Sequence, residues 1–255
     1  MHGMGRRARQ AVGGGIVAAA LAVGTAACQE GGAAADAVVS AAPATASAPV
    51  IPSAPVTTAP ARVLRAGDYI LTAGAETVGF ESSGGVEDDS SDPSMRAEVA
   101  ACVGVRGYNP PAPSDQTSGD TFVSTEESEF QASSRAKILP AAQISQDAQI
   151  VSSPRFGDCF RGALEKAVAG EDSQGFTYEI VAVETPPPPR GATAFVRTSM
   201  GITDENGTYG YVLDTVYFYV GQVAVELQVT NVQDVPPPTI EQGLIDQIAR
   251  KLTNQ

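Results

Sequence analysis

The side chains that most often carry enzymatic chemistry are scarce in this chain. Its 255 residues include one histidine, His2, and three cysteines, Cys28, Cys102 and Cys159. The common serine, cysteine and zinc hydrolases use histidine as a general base or as a metal ligand. A single histidine at the second position therefore argues against all of these enzyme classes.

Ser134 and Lys137 match the serine-x-x-lysine motif of penicillin-interacting enzymes. In those enzymes the two side chains lie one helical turn apart. Here the motif opens a predicted strand, in which residues three apart point to opposite faces. The companion Lys-Thr-Gly and Ser-Asp-Asn motifs are absent from the sequence, as are the Gly-x-Ser-x-Gly and P-loop patterns. We therefore expect neither serine nor nucleotide chemistry.

Carboxylates remain as possible catalysts, because paired acids hydrolyse glycosides without histidine. The chain has no Trp and only 6% aromatic residues, whereas sugar sites usually offer aromatic platforms. One acidic cluster precedes a predicted helix, where carboxylates favour the positive end of the helix dipole. We interpret it as a solvated helix start, with a weak calcium site as the alternative. The acidic residues are Glu87, Asp88, Asp89 and Asp92, followed by Glu126, Glu127 and Glu129.

Four tyrosines form the candidate ligand-binding set. Tyr209, Tyr211, Tyr217 and Tyr219 have the same parity in one predicted strand, so they share a face if the strand is regular. Such a face can pack into the core with the hydroxyl groups reaching its rim. Alternatively, it lines an apolar pocket for a lipid or an aromatic ligand.

The first residues have the order of a secretory signal. Three arginines among the first nine residues precede an uncharged stretch from Ala11 to Ala27, which is shorter than the ~20 apolar residues of a spanning helix. The segment Gly24-Thr25-Ala26-Ala27-Cys28 then resembles the lipobox of bacterial lipoproteins. The resemblance implies a signal peptide of residues 1–27, acylation of Cys28 and a lipid anchor, such as palmitate, on the extracytoplasmic face of the cell membrane. An ordinary cleaved signal is the alternative.

Residues 28–61 are predicted to be a disordered tether. They consist almost entirely of Ala, Pro, Ser, Thr and Val and include no aromatic residue, so they cannot bury enough apolar surface to fold. Residues 62–255 are long enough for one domain. The net charge of -13 becomes more negative once the basic signal is removed. We therefore expect no nucleic-acid partner, and a membrane contact made through the acyl chains.

Cys102 and Cys159 each lie on the apolar face of a predicted helix. In an exported domain such a pair is more often a disulfide than a catalytic or metal site. Two sulfurs without histidine do not complete a structural zinc site, and the spacing is not the Cys-x-x-Cys of thiol oxidoreductases. We predict a Cys102–Cys159 bridge, with two separate buried thiols as the alternative, and no metal or cofactor.

Hydrophobic spacing predicts helices and strands in one α+β domain. Asn206-Gly207 and Gly221 predict tight hairpins, and 108–119 is predicted to be a loop. Helices are predicted from Asp92 to about Val105, from Ser153 to Gly170 and from Thr239 to Leu252, the last with a Thr239–Gln242 capping box and Ile240 facing inward. Strands are predicted at 121–124, 136–139, 176–183, 192–200, 209–220 and 222–231.

Three short segments carry a resemblance to a known group of proteins. They are Ala101-Cys102-Val103, Asp158-Cys159-Phe160 and the closing hairpin 216–230, which leads into the helix 239–252. In this order of elements the chain resembles actinobacterial extracytoplasmic lipoproteins and the extracellular sensor domains of mycobacterial Ser/Thr kinases. The resemblance implies a Mog1/PsbP-like α/β/α sandwich, in which an antiparallel sheet meander is packed with helices.

The same resemblance implies extracytoplasmic recognition of a small molecule, a lipid or a cell-wall component. We therefore expect a non-enzymatic binding or sensor domain. The alternatives are a carboxylate-based cell-wall hydrolase and a structural accessory subunit of an envelope complex.

Overall fold

The computed structural model describes residues 63–85, 93–126, 129–169 and 175–255. Cys28, the signal and the tether lie outside these residues, as do Glu87, Asp88, Asp89, Asp92 and Glu127. The strands are β1 (Phe80–Gly85), β2 (Asp115–Ser118), β3 (Asp120–Ser124), β4 (Gln131–Ile138), β5 (Thr177–Glu184), β6 (Ala194–Asp204), β7 (Gly207–Val220) and β8 (Val223–Val232). The helices are α1 (Pro93–Val103), α2 (Ala141–Val151), α3 (Phe156–Ala169) and α4 (Pro238–Thr253). This confirms the predicted α+β fold.

All of these strands join one antiparallel sheet in the order β1-β3-β4-β8-β7-β6-β5, with β2 also paired to β4. The second half of the chain forms the predicted meander. Gly207 closes the β6–β7 hairpin opposite Asp204 with φ 132°, and Gly221 turns between β7 and β8 with φ 60°. Both φ angles lie in the positive region that favours glycine. This is why Asn206-Gly207 and Gly221 predict the two turns correctly.

The sheet separates two apolar cores. On one side, called the α4 face, Val225 and Leu227 of β8 pack under Leu244 and Ile248 of α4. On the other side, called the three-helix face, Val196 and Tyr217 pack with residues of α1, α2 and α3. Helices on both sides of the sheet give the expected three layers.

Residues 63–77, called here the N-terminal strap, lie against the α4 face. Tyr69 and Leu71 are almost fully buried in the core beneath α4. The amide of Thr72 donates to Oε1 of Gln247 at 2.8 Å, and Nζ of Lys251 donates to the carbonyl oxygen of Ile70 at 2.6 Å. These bonds join the first described segment of the domain to its last helix.

Cys102 of α1 and Cys159 of α3 form a disulfide, with Cα atoms 5.7 Å apart. Val99 and Phe156 pack in the same core beside it. The bridge therefore fixes two helices of the three-helix layer to each other.

Parts of the secondary structure differ from the sequence-based predictions. Helix α2 is an additional element, and β2 lies within the predicted loop 108–119. The capping box on α4 is wrong, because the helix begins at Pro238 and its N-cap, Pro237, makes no side-chain cap hydrogen bond. Ile240 is 40% exposed rather than inward, because the turn that starts at Pro238 points it away from the sheet. In the described part of the chain no helix is long and apolar enough to cross a membrane.

Candidate functional site

The four candidate tyrosines share the three-helix face, as their parity in β7 predicts. They do not share an environment. Tyr217 is 8% exposed and packs edge-on against Phe156, with ring centroids 6.2 Å apart, and stacks on Tyr219 at 6.3 Å. Burial raises the pKa of both phenols above its ordinary value of 10, so neither is a candidate general base. Tyr217 and Tyr219 thus serve as packing groups under the helices, whereas Tyr209 and Tyr211 lie further along the strand.

The three-helix face is covered unevenly. Strands β4 and β8 alternate between buried residues on the α4 face and half-exposed residues on the three-helix face. The half-exposed set is polar except for Ala224 and Val232. The buried set of β8 is Val223, Val225, Leu227, Val229 and Asn231. Because helices α1 to α3 pack mainly over β5 to β7, the polar half of this face is left open.

A groove of about 270 Å³ lies on this open half. We call it the polar groove. Strands β2 and β3 meet along β4 at Gly119, whose amide donates a hydrogen bond to the carbonyl oxygen of Ser134. This junction forms one side of the groove. The lining residues that belong to the three-helix face include Ser118, Thr121, Gln131, Ser133, Arg135, Tyr211, Glu226, Gln228 and Thr230.

Glu226 is the charged residue around which the groove is organised. Its Oε2 accepts from Nη2 of Arg96 at 3.3 Å, and its Oε1 accepts from Nε2 of Gln228 at 2.8 Å and lies 3.9 Å from Nε of Arg135. The Glu226 side chain is only 11% exposed. Both carboxylate oxygens are therefore held by donors, which leaves Glu226 suited to orienting polar neighbours rather than to attacking a substrate.

The serine-x-x-lysine motif does not form a catalytic pair. Ser134 faces the α4 side, where its Oγ accepts from the amide of Leu71 at 2.7 Å. Lys137 is three residues further along β4 and points to the other side of the sheet. The strand geometry therefore separates the two side chains, as expected from the sequence.

One pair of carboxylates does converge, although not in a groove. Asp214 of β7 is fully buried and Glu241 of α4 is 6% exposed, and the two carboxyl groups meet between α4 and the sheet beside Arg197. A glycan chain cannot reach carboxylates in this position, so the pair does not form a site for glycoside hydrolysis. Across the described ranges, no group of three or more His, Cys, Asp or Glu residues is arranged to hold a metal ion.

Sequence reasoning missed both the polar groove and the carboxylate pair. The alternation of Glu226, Gln228 and Thr230 with buried apolar residues indicates a half-exposed strand. It does not distinguish an ordinary solvated face from a recessed one, because that depends on where α1 ends and on the β2–β3 junction. The pairing of Asp214 with Glu241 joins residues of separate elements and has no local signal.

No protein-family model and no curated protein sequence matches the chain. Among solved structures, the extracellular domain of PknH from Mycobacterium tuberculosis is similar with a TM-score of 0.31 and 11% identity, covering 62% of this chain and 91% of that one. LpqN, involved in cell envelope biogenesis of Mycobacterium tuberculosis, is similar with a TM-score of 0.26 and 11% identity, covering 58% of this chain and 80% of that one.

Proposed function

We propose that this protein is a lipid-anchored extracytoplasmic domain that binds a polar small molecule or cell-wall component in the polar groove. The observation that carries the proposal is the recessed, uncovered half of the three-helix face. A sheet face of this kind combines hydroxyl, amide, guanidinium and phenol groups on rigid strands, which is the arrangement that fixes a ligand's orientation.

The charges in the groove favour binding over catalysis. Glu226 is paired with Arg96 and hydrogen-bonded to Gln228, so its negative charge is largely neutralised. Hydrolysis by carboxylates needs an acid and a second carboxylate on either side of the scissile bond. Among the lining residues Glu226 supplies one carboxylate, and the convergent pair Asp214 and Glu241 is buried between α4 and the sheet.

The residues that line the groove also restrict the chemical class of ligand that it can bind. Tyr217 and Tyr219 are covered by the helices, while Tyr211 lies in the groove among Gln228 and Thr230. A polar ligand that exchanges several hydrogen bonds fits these groups better than an acyl chain does. Tyr211 is the candidate tyrosine that this proposal retains for ligand contact.

The ligand proposal is tested by native mass spectrometry of the protein purified from its own host. A small molecule should co-purify with the natural chain and be lost from the double variant Gln228→Ala, Thr230→Val. The matched control, Thr177→Val with Glu179→Ala, changes exposed residues of the edge strand β5 and should retain it. A natural chain that carries no such molecule, or a groove variant that keeps it, contradicts the proposal.

The anchor is tested separately through Cys28. The variant Cys28→Ser should move the protein from the membrane fraction to the soluble extracytoplasmic fraction, because acylation requires the thiol. The double variant Cys102→Ser, Cys159→Ser keeps Cys28 and should stay with the membrane. Retention of the Cys28→Ser protein on the membrane would show that another feature holds it there.

A further inference from the structure

Three charged residues meet beneath the first turn of α4. Arg197 of β6 and Asp214 of β7 are directly opposite in the sheet, and both point to the α4 face. Nε and Nη2 of Arg197 donate to Oδ1 and Oδ2 of Asp214 at 2.7 and 2.6 Å. Glu241 of α4 lies next to Asp214, near enough for the two carboxyl groups to share a hydrogen bond once one of them carries a proton.

The cluster holds two carboxyl groups and one guanidinium. Arg197 already binds Asp214 through both of its oxygens, and Oε1 of Glu241 is buried without a hydrogen-bond partner. The charged groups that act on Glu241 are Asp214 and Arg197, while Glu184 of β5 acts on Arg197 from the other side. An ionised Glu241 would therefore place a second negative charge against Asp214 in a buried site.

A proton on Glu241 resolves this conflict. The protonated carboxyl donates to Asp214, and the cluster then carries one positive and one negative charge. Burial first, and Asp214 second, raise the pKa of Glu241 from its ordinary value of 4.5 to about 8. Glu241 is therefore protonated in the folded protein at neutral pH.

The position of Glu241 links this proton to the docking of α4. Glu241 is in the first turn, and the next turns carry Leu244, Ile245 and Ile248 into the core. Gln247 and Lys251 of the same helix hold the N-terminal strap. Loosening the first turn would thus act on the contact between α4 and the sheet.

We propose that Glu241, Asp214 and Arg197 form a proton-dependent latch that holds the first turn of α4 on the sheet and releases it as the solution becomes alkaline. The latch is independent of the polar groove, which lies on the other face. It gives the domain a response to pH with no histidine in the folded part, since His2 is the single histidine of the chain.

The direction of the pH effect follows from the two states of Glu241. In the unfolded chain Glu241 loses its proton near 4.5, whereas in the folded domain it keeps it up to about 8. Between these values the folded state binds one more proton than the unfolded state. The folding equilibrium constant should therefore fall by up to roughly tenfold per pH unit in this window and level off above it.

Urea unfolding of the full protein at several values between pH 5.5 and 9.5 tests the latch. The midpoint of the natural chain should fall as the pH rises to about 8. The variant Glu241→Gln keeps an uncharged donor at this site and should lose most of that fall. The control Glu179→Gln removes an exposed carboxyl on β5 and should keep the natural profile.

Two further measurements locate the effect. The amides of Ile240 and Glu241 donate to the carbonyl oxygen of Pro237. Their hydrogen exchange, corrected for the intrinsic pH dependence, should accelerate roughly tenfold or more between pH 6 and 9 in the natural chain. A carbon-13 carboxyl titration of the natural chain should contain one glutamate with a midpoint near 8, which does not require any variant to fold. A flat unfolding profile, a Glu241→Gln profile that still falls, or glutamates that all titrate near their ordinary pKa would overturn the latch.

Discussion

Arg197 and Arg190 each pair with an aspartate, but in opposite surroundings. The partner of Arg197, Asp214, has no exposed side-chain area, and Arg197 is itself only 22% exposed. Arg190 is 81% exposed and meets Asp246 at 2.9 Å. Because a charge is desolvated in the first pair and remains largely hydrated in the second, the same change in each should have different effects.

We predict that Arg197→Met lowers the free energy of unfolding by about 3–5 kcal/mol, because Asp214 is then left buried without its counter-ion. The matched variant Arg190→Met should cost less than about 1 kcal/mol, because its partner stays in contact with water. Urea unfolding at neutral pH measures both. Equal losses would mean that the buried pair contributes no more than the surface pair.

For single residues, the sequence predicts the sheet face to which a side chain points better than it predicts what packs around that side chain. The shared face of Tyr209, Tyr211, Tyr217 and Tyr219 follows from the period of two, which a regular strand must obey. Whether a residue on that face is packed or open depends on the helices laid over it. The shared face can therefore be predicted from the sequence. The difference between the packed Tyr217 and the open Tyr211 cannot.

At the scale of elements, the loop before β6 packs closely against α4. Gly191 has φ 91°, and a Cβ at this position would lie 2.8 Å from Cβ of Ala249. Gly243 lies within α4, and a Cβ there would meet nothing within 4 Å. Gly191 is therefore needed for its positive φ and for the close approach to α4, whereas the space around Gly243 would accept a side chain.

Gly191→Ala should reduce the free energy of unfolding by about 2–4 kcal/mol, through an unfavourable φ and a steric conflict with Ala249. Gly243→Ala should instead raise it by up to about 1 kcal/mol, because alanine has the higher helix propensity. Chemical denaturation of the two variants side by side measures the difference. A neutral Gly191→Ala would show that the loop shifts away from α4 at little cost.

The disulfide between α1 and α3 closes a loop with a sequence separation of 57 residues. In the chain-entropy model, removing such a crosslink with Cys102→Ser and Cys159→Ser lowers the free energy of unfolding by about 4 kcal/mol. Thermal unfolding with and without a reducing agent checks this. The reductant should destabilise the natural chain and leave the double variant unchanged; an unchanged natural chain would mean that no bridge forms.

The elements that the sequence reveals are those with local signals. Asn206-Gly207 and Gly221 mark hairpins because positive φ is needed there. Helix α2 carries no clean apolar stripe, since Gln143 and Asp147 are buried in it. These polar side chains are satisfied in the fold, where Tyr108 donates to Asp147 at 2.7 Å and so does Gln143. A helix whose buried face mixes polar residues with Ile144 and Ile150 lacks a clear apolar periodicity, and Tyr108, which satisfies Asp147, lies far away in sequence.

At the scale of the whole molecule, the N-terminal strap is packed into the core of the domain. Tyr69 and Leu71 fill the core between α4 and the sheet, so the strap belongs to the folded unit although it has little regular structure. The boundary near residue 62 stays a prediction from the sequence.

A chain that starts at Val63 should unfold at the same urea concentration as the full chain. A chain that starts at Gly79 lacks Tyr69 and Leu71, and we expect it to lose more than about 4 kcal/mol, since each buried large side chain contributes about 2–5 kcal/mol. Unfolding curves of the purified fragments compare them. If the shorter fragment unfolds like the full chain, the strap is not part of the core.

The overall architecture was predictable because consecutive strands with short turns must form a meander and amphipathic helices must cover it. The central pairing of β4 with β8 was not, because it joins residues about ninety positions apart in sequence. The polar groove depends on that pairing, since Arg135 and Glu226 face each other across it. The polar groove could therefore not be predicted, because the strand pairing that forms it joins segments far apart in sequence.

The position of the strap also gives the domain a front and a back. The chain enters the fold along the α4 face, where Ile70 and Lys251 meet, and the polar groove opens on the opposite side of the sheet. The N-terminal strap therefore packs on one face of the sheet, and the polar groove lies on the other. Under the proposed function, the attachment and the ligand would then lie on opposite faces of the sheet, so that a bound ligand and a supporting surface would not compete for the same side of the domain.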